Sequence, residues 1–212
     1  GITRVTLNGS RTYTGSAQTA PVSNYSSNTS TQSGTYSATD AGTYTAKYTP
    51  KSNFQWSTGS STTSAISIEW SIAKAAPTYT APTAKSGLTY TGSAQAVLNA
   101  GSTSHGTIYY STNNSSWSTT IPTKTNAGTY TVYWKLTGDS NHTNVASTSI
   151  SVSVAKATPA TPTLSKTTMT FDLPGSNTFT VTRSGTGAIT ATSSNTAKVT
   201  TSVSGTTVTV TS

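Results

Sequence analysis

The sequence predicts an all-β protein made of tandem β-sandwich modules in an elongated arrangement, and three observations lead there. The first is composition. Of 212 residues, 51 are Thr and 36 are Ser, with 11 Tyr, 4 Trp and a good supply of Val and Ile. β-Branched and aromatic side chains suit a pleated, half-buried surface, and disordered chains are poor in them. The second is alternation of apolar and polar residues over short runs, with no sustained 3.6-residue period. The third is an internal repeat that cuts the chain into units of about 75 to 80 residues, the kind of period that defines a modular array.

Three blocks carry the repeat. Tyr13-Thr14-Gly15-Ser16-Ala17-Gln18 recurs letter for letter as Tyr90-Thr91-Gly92-Ser93-Ala94-Gln95. Asp40-Ala41-Gly42-Thr43-Tyr44-Thr45 returns as Asn126-Ala127-Gly128-Thr129-Tyr130-Thr131, and Ile72-Ala73-Lys74-Ala75 as Val154-Ala155-Lys156-Ala157. The offsets are 77, 86 and 82 residues. Length therefore changes between the blocks, as surface loops change on a kept scaffold. Module 1 is then residues 1–75, module 2 residues 76–157, and residues 158–212 form a third stretch. Pro-stiffened linkers are expected over Ala75–Pro82 and Ala157–Pro162.

Within each module the terminal block is a strand. In Ile66-Ser67-Ile68-Glu69-Trp70-Ser71-Ile72 every second residue is apolar, and Ile150-Ser151-Val152-Ser153-Val154 repeats the pattern. Tyr130, Val132, Trp134 and Leu136 fall on one side of a further strand. One apolar face per strand needs a second sheet to cover it, which a sandwich supplies. Asp40-Ala41-Gly42-Thr43-Tyr44 sets an Asx turn residue and a Gly ahead of a strand carrying a Tyr. In immunoglobulin-like sandwiches a Tyr at the start of strand F returns its hydroxyl to upstream backbone, two residues before a Cys position. Ala46 and Val132 hold that position here. Tyr44 and Tyr130 are read as such corner residues, the alternative being ordinary half-buried strand tyrosines.

The order Tyr-Thr-Gly-Ser-Ala-Gln, Ala-Gly-Thr-Tyr-Thr, then Ile/Val-Ala-Lys-Ala, present twice, resembles the MBG-type β-rich repeats of large bacterial surface proteins. The resemblance covers residues 13–75 and 90–157. It implies an extracellular, tandem, immunoglobulin-like spacer or adhesive module, and no catalytic residues. The stretch 158–212 is different: Pro159 and Pro162 are followed by short apolar strands, including Phe179-Thr180-Val181 and Val208-Thr209-Val210, between Gly and Asn turns. Ser193-Ser194-Asn195-Thr196-Ala197-Lys198-Val199 resembles the central part of bacterial Ig-like domains, so a partial domain of that type is expected. Its small size places it near the lower limit for stability without disulfides.

Chemistry is scarce. Charged residues make up 8% of the chain, against about 25% in an ordinary soluble protein. There are four acidic side chains, two histidines and no Cys, so disulfides, thiol chemistry and repeated carboxylate pairs are absent. No enzyme, catalytic residue or cofactor is expected. His105 and His142 stand 37 residues apart with only Asp139 as a nearby acid, short of the three or four ligands a zinc or iron site gathers, so no metal site is expected. Asp40, Glu69, Asp139 and Asp172 are too dispersed in sequence for calcium. No Gly-x-Ser-x-Gly elbow occurs. Self-formed crosslinks through Lys74, Lys156, Gln18 or Gln95 would need an assisting acid, and Glu69 has no counterpart in module 2.

The net charge of +8 comes from nine Lys and three Arg scattered singly, without the cluster that tracks a phosphate backbone, so no nucleic-acid partner is expected. No apolar run approaches the ~18 residues of a membrane span. The chain opens on Gly1, which suggests a piece of a longer protein whose signal and anchor lie elsewhere. The expected function is a monomeric, non-catalytic stalk or spacer of a bacterial cell-surface or secreted protein. The alternatives are an adhesin module for an extracellular glycan or host surface protein, and a phage virion decoration module. For the adhesin, Tyr109 and Trp117, in a loop region rich in Asn and Ser that module 2 has expanded, and Trp56 are the candidate ligand-binding residues, because an aromatic ring stacks on a sugar while amides bond its hydroxyls. Against this, large aromatics are mostly buried.

Overall fold

The computed structural model describes residues 1–59, 62–172 and 174–212. Every regular element among them is a β-strand, and no helix is long and apolar enough to cross a membrane. The chain divides into two compact units, Gly1–Ala155 and Lys156–Ser212. The first unit holds two separate hydrophobic cores, one for each repeat.

In module 1 the strand Gly42–Pro50 lies between Ser30–Gly34 and Ile66–Ala73, both antiparallel to it, and Arg11–Thr12 adds in parallel beyond Ile66–Ala73. Two short ladders, Thr6–Leu7 with Val22–Ser23 and Gln18–Thr19 with Ser37–Ala38, accompany this sheet. Their neighbours Val5, Ala20, Val22 and Ala38 pack into the core with Ala46, Tyr48, Trp56, Trp70 and Ile72. The alternation is the predicted one: Ala46 and Tyr48 are buried while Thr45 and Lys47 are exposed, and Trp70 and Ile72 are buried while Glu69 and Ser71 are exposed. Module 2 repeats the plan. Gly128–Gly138 lies between Gly106–Ser111 and Val145–Val154. Thr89 bridges Ala155 in parallel, where Arg11–Thr12 stands in module 1. Val97, Leu98, Val132, Trp134, Leu136, Val152 and Val154 fill the core.

The repeated motifs are local solutions to backbone problems. Gln18 Nε2 donates to the Thr12 carbonyl at 2.9 Å, and Gln95 Nε2 donates to Thr89 at 2.8 Å. Each bond closes a turn whose glycine, Gly15 or Gly92, has φ of 80° or 81°, a conformation glycine adopts without a Cβ penalty. The Tyr44 hydroxyl donates to the Asp40 carbonyl at 2.6 Å, and Tyr130 to Asn126 at 2.8 Å. This is the upstream hydroxyl-to-backbone bond of a tyrosine corner. Ala46 and Val132, two residues on, are fully buried.

Two expectations change. Ala75–Pro82 is not a bare linker: Tyr79–Thr80 pairs with Ser102–Thr103, and the Tyr79 ring lies 5.7 Å from that of Trp134. Tyr109 and Tyr110 belong to the strand Gly106–Ser111 rather than to a loop, with Tyr110 buried. Alternation from Ile108 through Tyr110 carries too little signal to show this beside so many Asn and Ser. In the second unit Thr163–Leu164, Ser176–Thr182, Thr207–Thr211 and Thr200–Ser204 form a four-stranded antiparallel sheet in that order. Val181 and Val208 are its buried apolar residues, a thin core for a β unit.

Candidate functional site

The three predicted ligand-binding residues separate. Trp56 is 1% exposed, lies in the module 1 core and donates its Nε1–H to the Ser64 carbonyl at 3.0 Å. It is a structural residue, because neither its ring nor its one donor is free. Tyr109 and Trp117 do come together, through a third side chain. Tyr109 faces Lys135 across the ladder, and the Lys135 ammonium sits 4.4 Å from the centre of the Trp117 ring. Strand alternation turns Val132, Trp134 and Leu136 into the core, which leaves half-buried Tyr133 and Lys135 on the other face. The loop bearing Trp117 is organised by Asn113, whose Oδ1 accepts the N–H groups of Ser115 and Ser116 at 3.0 and 2.9 Å. The result is a shallow aromatic and basic surface, with an indole already engaged by a cation.

A second constellation lies between the modules, on residues that sequence reasoning gave no part in binding. The turn Asp139–Thr143, linking Gly128–Gly138 to Val145–Val154, reaches into module 1. Asn141 Oδ1 accepts the Ala41 N–H at 2.8 Å, and its Nδ2 donates to Asp40 Oδ1 at 3.0 Å. The Ala75 N–H donates to the Asn141 carbonyl at 3.0 Å, and the Thr143 N–H donates to the Ala75 carbonyl at 2.8 Å. Lys74 Nζ adds a bond to the Asp139 carbonyl at 3.0 Å. One side chain therefore satisfies the backbone at the start of the module 1 corner block, while the backbone around it pairs with the end of the module 1 chain.

The same turn places His142, 7% exposed, in a T-shaped contact with the Tyr13 ring at 5.3 Å and 82°. His105, from the turn before Gly106–Ser111, lies beside it with ring centroids 4.1 Å apart. His142 Nδ1 and Asp139 Oδ1 are 2.8 Å apart. That hydrogen bond, helped by the Asn141 N–H, holds the Asp139 carboxyl below its usual range. An ionised carboxylate only accepts, so Nδ1 of His142 carries the proton and a neutral ring keeps its lone pair on Nε2. Tyr13, Thr14, Gly15, Ala75 and Ser104 complete the cleft around the three ionisable groups. Comparison of the chain with protein-family models, with curated proteins and with solved structures found no match.

Proposed function

We propose that this chain is a non-catalytic spacer segment of a bacterial surface or secreted protein, built from two tandem modules of the MBG type. The observation that carries this reading is the joint. Asn141, Ala75, Thr143 and Lys74 tie one module to the next through side-chain and backbone hydrogen bonds. A flexible linker would hold the modules by covalent connection alone, whereas paired backbone at a joint resists bending and keeps the connection from proteases. A Ser/Thr-rich exterior with few charges suits a part that displays something else. Small-angle scattering tests this: a compact globule of this length has a radius of gyration of about 17 Å. A spacer exceeds that clearly, and a value at the globular figure removes the reading.

The grouping of Tyr109, Lys135 and Trp117 favours a second reading, adhesion to a glycan through the outer face of module 2. A glycan array with wild type and Trp117→Ala decides it. Binding lost in a variant of unchanged stability supports an adhesin, and silence in the wild type removes it.

A further inference from the structure

The cleft beside the joint holds both histidines of the chain and one of its four acids. His105, Asp139 and His142 each bring a ligand atom within 4.8 Å of the others. We propose that these three residues form a binding site for one borderline divalent transition-metal ion, with Zn²⁺ the first candidate. This inference stands on the residues of the cleft and does not depend on the spacer reading.

The repeat supplies an internal comparison. The central strand of module 2 is two residues longer than that of module 1, and beyond that insertion Thr49-Pro50-Lys51-Ser52-Asn53-Phe54 of module 1 aligns with Thr137-Gly138-Asp139-Ser140-Asn141-His142. The ladders fix the other turn, since Ser30 pairs with Pro50 as Gly106 pairs with Gly138, so Thr29 corresponds to His105. Module 1 therefore has Thr29, Lys51 and Phe54 where module 2 has His105, Asp139 and His142. Ser-Asn in the middle of the turn is shared, but all three flanking positions differ, and all three differ toward metal-ligating chemistry. Core packing or turn geometry alone would not require two imidazoles and a carboxylate at once, because module 1 builds the same two turns without them.

The donor set suits the ion. Two imidazoles and one carboxylate match the His/Asp preference of Zn²⁺, with water completing a tetrahedron at an open position. Bonds of about 2.0–2.2 Å put tetrahedral ligand atoms roughly 3.3 Å apart, so the widest pair, within 4.8 Å, must close by at most about 1.5 Å. His105 is half-buried on a turn and can make that adjustment. His142 needs little, because its T-shaped contact with Tyr13 already fixes the ring with Nδ1 beside the Asp139 carboxylate. The Lys74 ammonium donates to the Asp139 carbonyl rather than to its carboxylate. Asp139 Oδ1 sits against Nδ1 of His142, so an ion held by both replaces that hydrogen bond: the Nδ1 proton moves to Nε2 through solvent, and the ion takes the lone pairs of Nδ1, of one His105 nitrogen and of the ionised carboxylate.

The test is calorimetric titration of the tag-free full chain with ZnCl₂ at neutral pH, paralleled by NMR of its two imidazole side chains. The expected result is one equivalent bound, with both imidazole signals shifting together. His105→Gln and Asp139→Asn alter partly exposed positions and should keep the fold, and each is expected to weaken binding tenfold or more. His142→Gln should abolish uptake, with circular dichroism confirming the β signal. Absence of saturable uptake at millimolar Zn²⁺ overturns the proposal. So does uptake that His105→Gln leaves unchanged, because the ion would then sit on scattered carboxylates or the terminal amine.

Discussion

Replacing Asn141 by Ala removes the one side chain that satisfies both partners at the start of the module 1 corner block. Its Oδ1 accepts the Ala41 N–H at 2.8 Å and its Nδ2 donates to Asp40 at 3.0 Å. Each hydrogen bond contributes about 0.5–1.5 kcal/mol net. The Asp40 bond is solvent-exposed, so it falls at the low end despite its charge. The Ala41 N–H is partly buried and recovers water only as the joint loosens. The sum is about 1–2 kcal/mol, since the two Ala75 backbone bonds do not involve the side chain. Opening of the joint should then become roughly 5–30 times more frequent. Amide hydrogen exchange reads this at Ala75, whose N–H is bonded to the Asn141 backbone and exchanges when the joint opens, while the Ala41 N–H loses its acceptor outright. Protection lost at both, with core amides such as Val132 unaffected, is the expected pattern. Unchanged exchange at Ala75 would refute the claim that Asn141 holds the modules together.

Other perturbations test the fold around the site. Trp56→Ala should cost ~3–5 kcal/mol through the cavity it leaves, seen as early thermal unfolding of module 1; an unchanged midpoint would show the residue is not core. Gly106 has φ of 137°, and a Cβ there would lie 2.1 Å from the Thr137 carbonyl oxygen. Gly106→Ala should therefore cost at least about 2–3 kcal/mol and perturb the His105 turn in denaturant titrations. Burial, and secondarily the charge of Tyr25, push the Tyr48 phenol above its ordinary value of 10.0. With the folded pKa raised, the stabilising difference is complete below the unfolded value and is lost as pH rises beyond it. Stability of module 1 should fall at alkaline pH, and Tyr48→Phe should flatten that fall in a series of denaturant curves.

Motifs whose purpose is local were legible. The Tyr-Thr-Gly-Ser-Ala-Gln block needs only its own turn, with Gln18 and Gln95 each bonding a carbonyl six residues back, and the corner tyrosines reach four residues back. Period-2 alternation likewise located the strands around Trp70 and Val132, because burial repeats every second residue. The site is different in kind. His105 and His142 meet because two turns at the same end of one sheet are adjacent, a consequence of the pairing of Gly106–Ser111 with Gly128–Gly138. No spacing rule along the chain reports that. Asn141 was equally hidden, since its partners at Asp40 and Ala41 lie about a hundred residues away. Trp56 misled for the opposite reason: its Asn, Ser and Gln surroundings look like a loop, but the parallel bridge to Ile2 carries it into the core.

Residual dipolar couplings of the backbone amides in the full chain report whether the two modules share one fixed joint. Couplings from Val5–Ala73 and from Leu88–Val154 should fit a single alignment tensor. Two tensors of different magnitude or orientation would mean that the modules move independently, and the hydrogen bonds around Asn141 would then not hold in solution.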